Sequence, residues 1–446
     1  MSQHPFTRRS FTASLIAGAT GFGAASARAQ TDVKAQYTGA DMDWKQATGQ
    51  TIVVGGANHP WSNALLPLLP QFTELTGIKV TTDFRSETEF LTALPIKLAG
   101  GSPNPDVFMY LSYGQGINAG WLEPLNAYYG DKNLVDMAWY DEADLLKTAR
   151  EYPVWHNKER YAFAITSEAQ TMFYNTQMLQ AKGLAVPQTF DELLAATRAM
   201  KAGTTSGIAM RAKAAGNALF PLTGFIFSHG GQLMENGRVV FDSPEAVAGV
   251  EMFTRLLREN GPVGVSNYDW YEALGDFMQG ATASSSDSSN FATDIANPQK
   301  SKVAAQTTFA LFPHLPGKKS LPNMSHWQAA INAKSKAKKA SFLFMAWATS
   351  KPTALQMAAQ GLATTRVSAW SSDAFKKAFG AQAAEAALGN LQAADADLAK
   401  RARFHPQAPQ ILNALAIGMS ETLTGADKAQ VALTRAAAKA NAAIRT

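Results

Sequence analysis

Residues that usually carry catalytic chemistry are spaced so as to exclude several enzyme classes. The seven histidines are scattered and form no H-E-x-x-H pattern, and no G-x-S-x-G nucleophile elbow occurs. A phosphate-binding loop at Gly317-Lys318 fails because Phe312 stands where that loop needs glycine. The absence of cysteine excludes a thiolate zinc site, a cysteine nucleophile and a disulfide scaffold. Two of the 35 acidic residues could still meet in space, so a glycoside-acting enzyme stays open.

A second set of residues could bind a ligand without reacting with it. They follow predicted strands or lie at crossings between predicted units, where open parallel sheets bind their ligands. These candidates are Trp61, Glu87, Tyr110, Tyr113, Ser167, Glu168, Trp270, Tyr271, Asp287, Trp327 and Arg366. Ordinary structural roles compete: Trp61 could be a core residue, Glu168 a solvated hinge residue and Arg366 half of a structural ion pair. Ser86 either joins the site or caps the next helix.

The elements that must position these residues alternate between strands and helices. Strands are predicted at 51–56, 78–84 and 106–110, with a helical segment between each pair. Pro67 and Pro70 must kink or restart the first helix, Gly77 closes it, and Pro95 interrupts the second. This order and spacing predict right-handed crossovers and a parallel sheet.

Helix signals dominate the second half of the chain. A capping box at 189–192 and a Ser-Pro pair at 243–244 each begin a helix, and segments 340–360 and 410–445 are helical and Ala-rich. The Ser-rich run at 281–289 has the composition of a linker but is short. We therefore expect two α/β lobes followed by a helical carboxy-terminal region.

Length and charge narrow the class of protein further. A chain of 446 residues, 46% hydrophobic and 17% charged, predicts two or three packed units at roughly 100–200 residues each. Removing residues 1–29 leaves 37 basic and 35 acidic residues, a balance that does not favour nucleic acid or an anionic membrane as partner. The lysines of 334–339 are interpreted as the solvated start of a helix.

The amino terminus carries the pattern of an export signal. Arg8 and Arg9 precede a weakly apolar stretch at 11–25, and Ala27-Arg28-Ala29 fits an A-x-A cleavage site. The paired arginines are similar to the twin-arginine signal, which exports folded proteins. No later stretch reaches the ~18 apolar residues that would span a bilayer. We expect a soluble periplasmic protein that starts at Gln30.

Short motifs along the chain occur in the order typical of one known family. They include PQFTELTGIKV at 70–80, LAGGSPNPDV at 98–107, GWLEPL at 120–125, TFDEL at 189–193 and GLATTRVSAW at 361–370. This set resembles the extracellular (periplasmic) solute-binding proteins of carbohydrate ABC importers, family 1, from Thr51 to near the carboxy terminus. Glu168, six residues before Tyr174, is similar to the polyol-binding members. Asn175 departs from them, since those members often carry arginine there.

The resemblance implies an α/β fold of the type II periplasmic-binding-protein class. Each of its two lobes would hold a mainly parallel sheet flanked by helices, and several strands would form the hinge. The boundaries it implies are 1–29 for the twin-arginine signal peptide, 30–50 for a polar leader, 51–166 for the first part of lobe 1, 167–300 for the first part of lobe 2, 301–370 for the return to lobe 1 and the hinge, and 371–446 for a helical region that packs mainly on lobe 2.

The function implied by the resemblance is capture of a sugar or sugar alcohol by lobe closure and delivery to the permease subunits of an ABC transporter. Sugar hydroxyls both donate and accept hydrogen bonds, so such a site needs aromatic platforms beside charged or amide groups. A receptor for a phosphorylated polyol such as glycerol-3-phosphate is the nearest alternative, with Arg366 on the dianion. An adaptor without a small ligand is a further alternative. No spacing suggests a metal or cofactor, and we expect a monomer that binds no nucleic acid.

Overall fold

The computed structural model describes residues 35–155, 157–215 and 218–444. These residues fall into two compact units, of which one ends at Asp41 and the other begins at Met42. In the first unit, residues 35–38 are helical. The predicted export signal and its cleavage site lie outside the described residues.

A five-stranded first sheet and a four-stranded second sheet organise the unit that begins at Met42. The strands in chain order are β1 (Thr51–Ala57), β2 (Lys79–Arg85), β3 (Val107–Tyr110), β4 (Phe163–Ala164), β5 (Glu168–Asn175), β6 (Met234–Glu235), β7 (Arg238–Val239), β8 (Ser284–Ser288), β9 (Thr307–Ala310), β10 (Met324–Ser325) and β11 (Gln328–Ile331). A separate two-stranded sheet is formed by β6 and β7. The α-helices are Pro60–Leu65, Leu69–Thr76, Glu87–Ala99, Tyr113–Asn118, Asn126–Gly130, Met137–Tyr140, Lys147–Glu151, Thr176–Ala181, Phe190–Met200, Leu219–Ser228, Pro244–Asn260, Trp270–Gln279, Ala292–Ile295, Lys338–Ala348, Lys351–Ala358, Val367–Ser371, Asp373–Phe379, Ala381–Ala393, Ala396–Arg401, Ala408–Thr424 and Ala429–Ile444.

The first sheet has the order β2-β1-β3-β11-β4. β1 runs parallel to β2 and to β3, which confirms the predicted parallel pairing of these three strands, whereas β11 returns antiparallel to β3. The helix after β1 is broken into α, 3₁₀ and α segments at the predicted prolines, with Leu66–Leu68 as the 3₁₀ turn. Gly77 ends that helix at a φ of 71°, where a residue without Cβ is favoured.

The prediction that Pro95 interrupts the next helix is wrong. Helix Glu87–Ala99 continues through it and buries Phe90, Leu94 and Leu98 on one face. Burial of this shared apolar face stabilises the helix on both sides of Pro95, although the proline removes one backbone hydrogen bond. Ser86 caps the helix by accepting a hydrogen bond from the Glu89 N–H.

The second sheet is centred on β5 and differs from the mainly parallel arrangement that we expected. β8, β9 and β10 all pair with β5 in antiparallel fashion. The parallel neighbour of β8 is an irregular segment joined by isolated bridges, such as the one between Ala209 and Ser285. The Ser-rich run therefore forms a buried strand beside β5, in which hydrogen bonds such as Ser284 Oγ to the Gly207 carbonyl (2.7 Å) satisfy the hydroxyls.

Helices of the carboxy-terminal region complete the packing. Ala408–Thr424 and Ala429–Ile444 contact each other and helix Pro244–Asn260, and their apolar residues belong to one core cluster with the helices around the second sheet. Inside the predicted leader, Trp44 is buried and packs edge-to-face on Trp139. No helix among the described residues is long and apolar enough to cross a membrane.

Candidate functional site

A cavity of about 450 Å³ lies between the two sheets. Five of the predicted binding residues line it, from both sheets: Glu87, Tyr110, Glu168, Trp270 and Trp327. Other polar and aromatic residues of its wall were not predicted, among them Asn58, His59, Arg211, Lys213, Phe220, Asp269, Phe291, Ser325, Arg403 and Asn413. Their mixture of charged, amide and aromatic groups suits a small ligand with many hydroxyls.

Glu168 ties the two sheets together at the cavity wall. It is the first residue of β5, and its carboxylate accepts hydrogen bonds from Ser288 Oγ at 2.9 Å and Asn290 Nδ2 at 3.1 Å. His59, which follows β1 of the other sheet, places Nε2 3.2 Å from the same carboxylate. Burial tends to raise the pKa of Glu168, but His59, Ser288 and the Arg211 guanidinium outweigh it and leave that pKa below its usual value. Glu168 is therefore a fixed negative charge at neutral pH.

Arg211 supplies the opposite charge on the wall. Its Nε donates to Asp287 Oδ2 at 2.8 Å, and a second guanidinium nitrogen donates to Oδ1 of the same carboxylate. The guanidinium also lies over the Phe220 ring, 5.2 Å from its centroid. Burial tends to lower the pKa of Arg211, but the Asp287 carboxylate raises it above its usual value. Asp287 itself is not part of the wall; it holds Arg211 in place from behind.

Glu87 brings a second carboxylate to the cavity. It is the first residue of helix Glu87–Ala99 and is half-buried. Burial raises the pKa of Glu87 above its usual value, although Arg211 and His59 act in the opposite direction. Its carboxylate and the Arg211 guanidinium lie beside different sheets, so a ligand that contacts both would connect the first sheet with the second.

Aromatic rings form the apolar part of the wall. The Trp327 ring lies 5.3 Å from the His59 ring, and Trp270 stacks on Phe291 with a centroid distance of 5.0 Å. Tyr271 stacks on the other side of this group, 3.5 Å from Trp270, but it does not line the cavity and is 47% exposed. Trp270 and Trp327 are thus the tryptophans placed to meet a ligand.

Three other predicted residues are buried away from the cavity wall. Trp61 is completely inaccessible and packs edge-to-face on Phe84, which fits its alternative as a core residue. Tyr113 stacks on Phe404 at 5.0 Å. Ser167 places its hydroxyl 3.3 Å from His326 Nδ1 in the interior.

Arg366 also lies away from the cavity, and its partners explain why. Its guanidinium donates to the carbonyls of Thr349, Asp141 and Tyr140 at 2.7–2.8 Å, and Asp144 is 3.6 Å away. With its nitrogens engaged in this way, Arg366 ties surrounding backbone together and has no donor directed at a ligand. The anion-binding role that the phosphorylated-polyol alternative gave to Arg366 is therefore wrong.

The cavity residues that the sequence analysis did not predict differ in how clearly local sequence patterns mark them. His59 follows β1 directly, at the same sheet edge that gave Trp61, so the strand-end argument could have found it. Arg211 follows a segment that joins the sheet only by isolated bridges, and no strand pattern marks it. Arg403 reaches the cavity from the loop after helix Ala396–Arg401, which the sequence placed only in a general helical region.

A larger cavity of about 1140 Å³ also has charged and aromatic residues in its wall, among them Arg150, Trp155 and Phe404. Its wall contains none of the predicted binding residues, however, and its charges include ion pairs such as Arg160 with Glu142 and Arg401 with Asp397. Among the described residues, no group of three or more His, Asp or Glu side chains could hold a metal ion. The 450 Å³ cavity is therefore the candidate site.

Known proteins share this architecture. Residues 58–355 match the family described as bacterial extracellular solute-binding protein. The erythritol/L-threitol-binding protein of Mycolicibacterium smegmatis is 29% identical over 334 residues, which are 70% of this chain and 69% of that protein. The structure of a solute-binding protein from Agrobacterium radiobacter K84 in complex with ribitol superposes with a TM-score of 0.79 at 23% sequence identity, and the match covers 89% of this chain and 99% of that one. The structure of one from Agrobacterium vitis S4 with bound D-mannitol superposes with a TM-score of 0.76 at 25% identity, and the match again covers 89% of this chain and 99% of the other.

Proposed function

The chain belongs to the family of bacterial extracellular solute-binding proteins, and on that premise we propose that it captures a neutral polyol or a small sugar and delivers it to an ABC importer. One observation carries the choice of site. The 450 Å³ cavity has a wall built from both sheets, with Glu87, Glu168 and Arg211 beside the rings of Trp270 and Trp327. The similar proteins named above are described with erythritol, threitol, ribitol or mannitol, all neutral polyols.

Charge balance supports a neutral ligand over a phosphorylated one. Three acidic side chains line the cavity, which are those of Glu87, Glu168 and Asp269, and they face three basic ones, which are those of Arg211, Lys213 and Arg403. Asp287 additionally neutralises Arg211 from behind. A phosphate dianion would meet no excess of positive charge there and would lie close to carboxylates, which is unfavourable at short range. Charge-assisted hydrogen bonds to hydroxyls use both signs.

Capture would proceed by closure of the two halves over the ligand. Glu87 and His59 come shortly after strands of the first sheet, whereas Arg211 and Trp270 lie beside the second, so a bound polyol would add contacts that exist only in the closed arrangement. A ligand shifts the equilibrium by as much as it prefers the closed state. The closed shape would then be recognised by the permease subunits in the inner membrane. We propose that the protein acts as a receptor and not as an enzyme, so that the ligand leaves chemically unchanged. It would act as a monomer.

A thermal-shift panel tests this function. The panel contains erythritol, ribitol, mannitol, small sugars and glycerol-3-phosphate. A ligand present at about 100 times its dissociation constant adds ~2.7 kcal/mol to the free energy of unfolding. We expect a rise in melting temperature with at least one neutral polyol or sugar. A rise with glycerol-3-phosphate alone would replace the proposal by the phosphorylated-polyol receptor, and product formation from a glycoside would replace it by an enzyme.

Export to the periplasm is the second part of the proposal. It is supported by the paired Arg8 and Arg9, the cleavage pattern ending at Ala29 and membership of an extracellular family. Replacing both arginines by lysine should retain the precursor in the cytoplasm, whereas the unaltered protein should be recovered from the periplasm with Gln30 at its amino terminus. Normal export of the lysine variant would contradict the twin-arginine route.

A further inference from the structure

Several buried polar atoms behind the cavity have no hydrogen-bond partner. They are the hydroxyls of Tyr110 and Tyr113 and both amide atoms of Gln328. Gln328 is completely inaccessible, and Tyr110 and Tyr113 are only 2% and 1% exposed. Buried polar atoms without partners are rare because each costs much of the hydrogen bonding that it had in water. Four such atoms on three neighbouring residues therefore require an explanation.

The topology places these groups together. Strand β11 pairs with β3 so that Gln328 lies directly opposite Tyr110, and opposed residues of an antiparallel pair project from the same face of the sheet. The Tyr110 and Tyr113 rings are 6.0 Å apart. This group, which we call the Tyr110 cluster, comprises Tyr110, Tyr113 and Gln328.

The donors and acceptors of the Tyr110 cluster select the chemistry of an occupant. The Gln328 amide offers both donors and an acceptor, and each tyrosine hydroxyl can act as either. Burial raises the pKa of both tyrosine hydroxyls above its usual value, so they are neutral at pH 7. A neutral set with both donors and acceptors fits a hydroxyl group better than an ion.

We propose that the Tyr110 cluster is a hydroxyl-binding subsite behind the wall of the cavity. Tyr110 connects the two, because it lines the cavity while its own hydroxyl is buried among the cluster. The hydroxyl comes either from the end of a bound polyol or from a water molecule that supports Tyr110. The first source rests on the proposed function, and the second does not. If water supplies the hydroxyl, Gln328 is a positioning residue that acts through Tyr110, and if the ligand supplies it, Gln328 contacts the ligand directly.

Two variants and a matched control test the subsite. Gln328→Leu removes the amide at similar size, and Tyr113→Phe removes one hydroxyl with little change in shape. Tyr174→Phe is the control, because the Tyr174 hydroxyl is also buried without a partner but lies on β5, outside the cluster. The melting temperature of each purified protein without ligand is measured first. Dissociation constants for erythritol, ribitol and mannitol, with four, five and six carbons, are measured next.

The two sources of the hydroxyl give different results. If water supplies it, Gln328→Leu and Tyr113→Phe melt about 1–3 °C below Tyr174→Phe, and the dissociation constants of all bound polyols rise by a similar factor. If the ligand supplies it, the melting temperatures match the control, and the dissociation constant rises about threefold to tenfold only for polyols long enough to reach the cluster.

The proposal is overturned if both variants melt at or above the control and bind every polyol as the unaltered protein does. That result would mean that the unpartnered atoms are simply tolerated in a dry interior. If no polyol binds at all, the proposed function fails, and the melting temperatures alone decide the subsite. A fall for both variants then still supports it, and no fall overturns it.

Discussion

Replacing Asp287 by asparagine should destabilise the protein through the charge that it leaves behind. Asp287 and Arg211 have only 5% and 9% of their side-chain surface exposed, and the carboxylate receives two guanidinium hydrogen bonds. Removing one partner of a buried ion pair costs about 3–5 kcal/mol. The asparagine carbonyl can still accept one hydrogen bond from Arg211, which offsets about 1 kcal/mol of that loss in the free energy of unfolding. We therefore expect a loss of about 2–4 kcal/mol in the free energy of unfolding, measured by urea denaturation at pH 7.

Two further variants separate stability from ligand binding. Glu259→Gln is the control for loss of a carboxylate, because Glu259 pairs with Arg198 and Arg255 at the surface and should change stability by only ~0–1 kcal/mol. The double variant Arg211→Met with Asp287→Leu removes both charges and should recover most of the stability. It should still lose ligand affinity, because Arg211 lines the cavity.

A loss of stability in Asp287→Asn no larger than that in Glu259→Gln would contradict a stabilising buried ion pair. Ligand binding by the double variant as tight as that of the unaltered protein would show that Arg211 contributes nothing to recognition. Circular dichroism before denaturation confirms that each variant is folded.

Three other predictions follow from the geometry. Trp327→Ala should weaken ligand binding by more than ~1 kcal/mol in a fluorescence or calorimetric titration, and an unchanged affinity would remove Trp327 from the site. Trp61→Phe should lower the melting temperature but leave affinity within about twofold, because Trp61 is buried away from the cavity; a large loss of affinity in a folded variant would contradict this placement. The free energy of unfolding should fall as pH drops from about 6.5 towards 4, by up to ~1.4 kcal/mol per pH unit, because the unfolded chain protonates His326 while the folded state, in which the pKa of His326 is about 4, does not. His326→Asn should flatten this slope in denaturation curves at several pH values, and an unchanged slope would show that other groups control it.

The sequence predicted the first sheet well because its signals are local. The apolar strands, the prolines that break the helix after β1 and the Gly77 that ends it are each recognisable from a few neighbouring residues, and the structure has each as predicted. Pro95 in the next helix is the exception, because the helix continues through it. The second sheet was less visible, because β8 is made of serines whose burial depends on partners distant in the chain. Strand propensity carries little information about a strand of that composition.

The predicted residues that line the cavity lie mostly at the ends of strands. Glu87 comes shortly after β2, Tyr110 ends β3 and Glu168 begins β5, whereas Trp270 begins a helix. Trp61 has an equally suitable position along the chain, but its helix turns the ring into the core. Arg211 joins the site through Asp287, at a separation in sequence that local patterns do not encode. Local patterns also fail for Arg366. Its charge suits an anionic ligand, but its guanidinium donates to backbone carbonyls, two of which are distant in the sequence.

Calorimetric titration of the purified protein with matched neutral and phosphorylated ligands distinguishes a receptor for a neutral polyol from one for a phosphorylated polyol. The pairs are ribitol with ribitol phosphate and glycerol with glycerol-3-phosphate. We predict that ribitol or another neutral polyol binds with a stoichiometry of one, that its phosphorylated form binds at least about tenfold more weakly, and that the Arg211→Met, Asp287→Leu double variant loses the signal. Tighter binding of the phosphorylated member, or unchanged polyol binding by the folded double variant, would contradict this prediction.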